Sequence, residues 1–255
     1  MIKLIGDYHT HTIYSCGFNP NTRHATGTIR ENAEAALAKG LKEIAITEHG
    51  PGHYLYGVRK KNISLIRDEI DRLNQEFGPR GLKILLGVES NIVGIDGTLD
   101  IDEKFLKYTD ILLMGYHYGA TPRRVVDGMG LYLLNPISKH LHLGKEKAQE
   151  LNTKAYIKAL SKYPIDLITH PGSKAVVNIV EVAKEAYKYS TALEISSKHS
   201  ELSVDSIKKL LDINVIYMLN SDAHCPEDVG NVEKGIAKAK EAGLPLDRIK
   251  NIEIN

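Results

Sequence analysis

Residues 2 to 14 read IKLIGDYHTHTIY, a short apolar run that closes on two histidines, His9 and His11. Along an extended strand alternate side chains share a face, so Asp7, His9 and His11 are expected on one side. Two imidazoles so placed can grip one metal ion. Solvated histidines at a polar strand end would look the same, so the rest of the chain has to decide between the two.

The pattern recurs. Short β-branched runs fall at 2–8, 43–48, 83–88, 110–115, 165–169, 192–196 and 214–220, and each is followed by a loop opening. Stretches with apolar residues at helical spacing fall at about 28–39, 61–77, 146–162, 175–189, 203–212 and 231–242, several closed by glycine. This alternation predicts a parallel sheet, and seven strands with about six helices predict a barrel slightly short of the usual eight units. There is no GxGxxG or Walker-type loop. Residues 119–145 lack clean periodicity and exceed a typical connector, so a lid or substrate loop is expected there. No linker or low-complexity stretch divides the chain, which predicts a single domain over 1–255.

The bulk numbers exclude some classes. With 33 Lys+Arg against 32 Asp+Glu the net charge is +1, so there is no broad polyanion-binding field and no dedicated nucleic-acid surface. Near the N-terminus charged and polar residues arrive too early for a signal-peptide core, and no apolar run reaches membrane-spanning length. A cytoplasmic protein that does not engage membranes is expected. Cys16 and Cys225 are too few for a disulfide framework and form no Cys-x-x-Cys pair.

Eleven histidines are many for such a chain, and six of them close strands. His9 and His11 end the first strand, His49 the second, Glu89 the third, His117 the fourth, His170 the fifth, and Asp222 with His224 the seventh. In a parallel barrel those ends share one rim, where such folds carry their chemistry. Imidazole and carboxylate suit Zn, Mn or Fe, and so many ligands exceed the needs of one ion.

The segments DYHTHT, ITEHGP, GVE, GYH, THPG and NSDAH resemble the successive motifs of the polymerase and histidinol phosphatase (PHP) superfamily. The likeness runs through essentially the whole chain and is greatest to the small stand-alone bacterial phosphatases. It implies a distorted seven-stranded (β/α)7 barrel with three divalent ions at the C-terminal rim of the strands. Eight of the nine implied ligands are the residues above, and the ninth is His24 in RHATGTIRENA. It further implies that Glu89 bridges two ions and that Asp7 orients a ligand histidine.

Clustered ions generate a hydroxide near neutral pH and draw off phosphoryl charge. In-line attack by a metal-bridging hydroxide on a small phosphate monoester is therefore expected, with Asp222, His224 or a metal-bound water protonating the leaving alkoxide. Arg59, Lys60, Lys61, Arg123, Arg124 and Lys174 follow strands, and at least one arginine among them is expected to hold the phosphate. His53, His140, His142 and His199 lie outside the motifs and read as loop or surface residues, although Lys198 and His199 follow strand six and can face the pocket. Glu194 reads equally as a carboxylate supporting the ligands or as a satisfied core group. The rival readings are a phosphodiesterase or 3′ to 5′ exonuclease, a metal-binding module without turnover, and an amidohydrolase. Neither the substrate nor the oligomeric state is set by these residues.

Overall fold

The computed structural model of the chain describes residues 2–19, 21, 24–141 and 143–254, without the side chains of residues 139 and 140. The strands are β1 (Ile2–Leu4), β2 (Gly6–Thr10), β3 (Glu43–His49), β4 (Lys83–Asn91), β5 (Ile111–Gly115), β6 (Leu167–Ile168), β7 (Ala192–Ser196), β8 (Tyr217–Asn220) and β9 (Ile252–Ile254). The helices are α1 (Ile29–Ala38), α2 (Ile63–Phe77), α3 (Glu103–Leu106), α4 (Val125–Asp127), α5 (Leu134–His140), α6 (Lys145–Lys162), α7 (Ile179–Lys188), α8 (Val204–Lys208) and α9 (Glu233–Glu241).

Strands β2 to β8 form one seven-stranded parallel sheet in sequence order. The curl closes only near its top. Thr10 bridges Ala223 in parallel, and His11 N donates to Ala223 O at 2.9 Å. This is the distorted seven-stranded barrel that the repeating pattern and the motifs imply. Because side chains alternate along each strand, Leu85, Gly87 and Glu89 of β4 share a face, as do Ala45, Thr47 and His49 of β3. The lower layer is apolar: Ala45, Leu85, Leu113, Leu167 and Ala192 pack together. The upper layer carries the imidazoles and carboxylates. A larger apolar cluster joins the sheet to the helices, including Ile63, Ile66, Ile70, Leu73 and Phe77 of α2. Small residues separate the layers. A Cβ on Gly115 would sit 2.5 Å from Thr169 Oγ1 and 3.1 Å from Glu89 Oε1, so glycine there makes room for the acidic side chain.

Several local expectations need correction. The first strand is two strands: β1 leaves the barrel to pair antiparallel with β9, and only β2 enters the sheet. The pairing register of β2 slips between Asp7 and Thr10. Such a slip changes which face a side chain takes, so Asp7 does not join His9 and His11. Residues 119–145, where a lid or substrate loop is expected, are largely helical in their described part. They hold α4, a π-helical stretch over 128–133, and α5. The wider π turn breaks the 3.6-residue period, which hides the helix in the sequence. The strand β9 and helix α3 are too short to show periodicity. Among the described residues no helix is long and apolar enough to cross a membrane.

Candidate metal centre

All nine expected ligand residues meet at the upper rim. His9 Nε2 lies 3.2 Å from His11 Nε2 and 3.5 Å from Asp222 Oδ1, while His11 Nε2 is 3.4 Å from the same oxygen. Glu89 stands at the middle. Its Oε1 is 2.9 Å from His170 Nε2 and 3.3 Å from His9 Nε2 and from His117 Nε2, and its Oε2 is 3.0 Å from His49 Nδ1. On the outer side His224 Nε2 lies 2.8 Å from His24 Nε2, whose ring stacks on Tyr56 at 3.9 Å. Four overlapping triads have donor atoms within 4.8 Å of one another: His9–His11–Asp222, His9–Glu89–His170, His49–Glu89–His117 and His11–His49–His224.

Surrounding groups fix the ring orientations. His9 Nδ1 lies 2.8 Å from Glu194 Oε1 and His117 Nδ1 2.7 Å from Asn91 Oδ1. Because both oxygens only accept, each Nδ1 carries the proton and each Nε2 turns its lone pair toward the cluster. Glu194 Oε2 also accepts the backbone N–H of His170 at 2.7 Å, so the carboxylate ties two ligand strands together. Asn91 is itself held by Asp100, which accepts from Asn91 Nδ2 at 2.6 Å. Sequence reading missed Asn91 and Asp100. The available signal was that Asn91 follows Glu89 by two on the same strand face. Asp7, by contrast, touches no ligand ring. It is buried and accepts from Ser221 Oγ at 2.5 Å and Gly230 N at 2.7 Å, pinning the loop that presents Asp222.

The electrostatics suit cations. Burial alone would raise Glu89 and Asp222, yet His117 and His9 around the first, and His9 and His11 around the second, hold both well below the usual carboxylate range. Burial and neighbouring imidazoles push His11 well below its ordinary value and bring His24 down to about 3. Burial also lowers His117 well below the usual range and His224 to about 4. His9 and His170 are raised, burial being outweighed by Glu194, Glu89 and Asp222 at the first and by Glu89 and Glu194 at the second. Ionised Glu89 and Asp222 beside the neutral imidazoles of His11, His24, His117 and His224 are a donor set for divalent metal.

Unsatisfied atoms show the same fit. His49 Nδ1 and Glu89 Oε2 are 3.0 Å apart but not aligned for a hydrogen bond, and with His49 Nε2 they are buried without one among the described residues. Stranding such groups is costly, and a cation between them would satisfy Glu89 Oε2 and one nitrogen of His49, the other carrying the ring proton.

The remaining candidates divide. His53 is buried rather than superficial, its Nδ1 accepting from Tyr56 N at 3.1 Å and its ring stacked on His49 at 5.3 Å. His199 does face the cavity, 3.1 Å from Asp222 Oδ2. His142 and the side chain of His140 lie outside the described residues. The arginines expected to hold phosphate are committed elsewhere: Arg59 to the carbonyls of Gly17 and Phe18, Arg123 to Thr98, and Arg124 to Asp127. Lys60 pairs with Asp102. The cations that line the cavity are Lys174 and Lys198.

Removing the charge of Glu194 is expected to weaken metal binding about 10- to 100-fold, the usual cost of losing a partner behind a ligand histidine. Competition of Glu194→Gln against a fluorescent zinc chelator measures this. Unchanged affinity would mean that Glu194 serves only the core.

The arrangement defines a class: a β/α barrel whose strand-end rim gathers imidazoles and carboxylates into one cluster of potential metal ligands. The family model described as PHP domain matches residues 7–208. The chain is 32% identical over 267 residues to a "Probable phosphatase" of Thermoanaerobacter sp. (strain X514), covering 99% of this chain and 92% of that protein. It is 31% identical to a "Probable phosphatase" of Proteus mirabilis (strain HI4320), covering 96% and 89%. The crystal structure of histidinol phosphate phosphatase from Lactococcus lactis, complexed with zinc, L-histidinol and phosphate, shares the fold with a TM-score of 0.59 over 94% of each chain, at 18% identity. The chain therefore belongs to the PHP domain family.

Proposed function

We propose that this metal-dependent phosphatase hydrolyses a small phosphate monoester at a centre of three divalent ions. The observation that carries the reading is the overlap of the donor triads in one buried cluster. His9, His11 and Asp222, one of those triads, would hold one ion; Glu89, His117 and His170, whose donor atoms lie 2.9 to 3.3 Å apart, a second; and His49 and His224, joined by His24 at 2.8 Å from His224, a third. Glu89 Oε1 lies against His9 and His170 and Oε2 against His49, the placement from which it would bridge two of the ions. Such ions activate water as the nucleophile and draw off charge from the phosphoryl oxygens.

The chain's own residues supply the rest. Lys174 and Lys198 are the cations available to an anionic ester at the cavity wall. Glu89 is fully buried, whereas the His224 side chain is 19% exposed beside Asp222. We therefore assign proton delivery to the leaving alkoxide to the Asp222–His224 side, where exchange with solvent is open. A cavity of about 210 Å³ suits a phosphoryl group better than a polynucleotide. Zinc is supported by the lactococcal relative's complex and by the imidazole-rich donors, and manganese and iron fit the same set.

Protein reconstituted with zinc or manganese is expected to release inorganic phosphate from a panel of monoesters, including histidinol phosphate and sugar phosphates, without shortening labelled single-stranded DNA. Strand shortening with no release from monoesters would reverse the assignment.

A further inference from the structure

Among the described residues, four other than glycine have backbone φ in the left-handed region: His170 (27°), Lys174 (61°), Ser190 (57°) and Asp222 (55°). Three of the four, His170, Lys174 and Asp222, line the metal cavity. An L side chain is disfavoured there, and such residues persist where the surroundings force them, most often at functional sites. His170 and Asp222 already have a place in the donor set. Lys174 does not.

Lys174 is half-buried in the loop His170–Pro171–Gly172–Ser173 that leaves β6, and its carbonyl accepts from Tyr118 Oη at 3.1 Å. Glycine or asparagine would occupy this backbone more easily, so the lysine is explained by its side chain and not by the turn. Among the described residues its ammonium has no hydrogen-bond or ion-pair partner. The other cavity cation, Lys198, lies 3.6 Å from Asp222 Oδ2 and 3.3 Å from Asp222 O. The arginines are turned to protein partners, as described above. An unpaired cation on a constrained loop that lines this cavity, and a neighbouring one walled by Asn135, Lys145 and Glu201, is free to take an anionic partner from outside the chain.

We propose that Lys174 anchors the substrate, its ammonium donating to a non-bridging phosphoryl oxygen of the bound monoester. This rests on the phosphatase reading and adds the residue that holds the anion. Lys174 binds the ester and contributes nothing to metal retention.

The test uses full-length, zinc-reconstituted protein and the variants Lys174→Gly, Lys174→Asn and Lys174→Arg. Because glycine and asparagine relieve the backbone, Tm is expected to rise by about 2 to 4 °C in the glycine variant and not to fall in the asparagine variant. Zinc per chain stays at the wild-type value. The Kd for inorganic phosphate, measured by calorimetry without turnover, and the KM for a monoester rise on the order of 10- to 100-fold, with kcat within about threefold and arginine restoring most of the loss. Gly and Asn variants that keep zinc and bind phosphate like the wild type would overturn the proposal. Wild-type protein that binds phosphate but hydrolyses no ester would overturn the phosphatase reading, while the phosphate titration still decides the role of Lys174.

Discussion

Glu89→Gln is expected to lower kcat by about 10³-fold or more and to reduce the bound metal per chain. Glutamine has the same shape, so no cavity opens and the fold is retained. What changes is the charge at the centre of the cluster. Both oxygens of Glu89 face ligand imidazoles, from His170 at 2.9 Å to His11 at 3.7 Å. An amide nitrogen there would direct hydrogens at positions where cations are proposed to lie. Losing the bridge removes several kcal/mol of charge stabilisation from the transition state, and each 1.36 kcal/mol is a factor of ten. Steady-state kinetics with elemental analysis of the same sample checks both effects. Full metal content with kcat within tenfold of wild type would show that Glu89 is not the bridge.

Stripping the ions with a strong chelator is expected to abolish turnover and to lower Tm by on the order of 10 °C, reversibly on adding zinc. Among the described residues Glu89 Oε2 and the ring nitrogens of His49 make no hydrogen bond, and a cation would serve the carboxylate oxygen and one of those nitrogens. Each buried group so stranded costs about 1 to 3 kcal/mol, and for a protein of this size each kcal/mol moves Tm by about 2 to 4 °C. The apo protein also keeps ligand nitrogens crowded together, as at His24 and His224. Differential scanning calorimetry of the stripped and reloaded protein measures the shift. Apo protein that melts within 1 °C of the loaded form would mean that the cluster is satisfied without metal.

Much of the centre was legible because a parallel barrel converts linear order into geometry. Once His9, His49, Glu89, His117 and His170 each end a strand, a shared rim follows from the topology. His24 was different. It precedes α1 and ends no strand, so only the family motifs pointed to it. The structure brings it 2.8 Å from His224, stacked on Tyr56. Asp7 misled, since alternation along an unbroken strand puts it beside His9 and His11, whereas the slip in β2 turns it toward Ser221 and Gly230. The π-helical stretch at 128–133 likewise has no 3.6-residue signature to read.

The sequence by itself determined the strand and helix order, the barrel it implies, and the chemical character of the rim, because those depend on local periodicity and on residue type at strand ends. Only the tertiary structure decided which side chains face which. It set Glu194 behind His9, Asn91 behind His117, the arginines away from the cavity and Lys174 into it. Those pairings join residues that are distant along the chain, and they depend on strand stagger, one slipped register and a few left-handed backbone positions that no local pattern encodes.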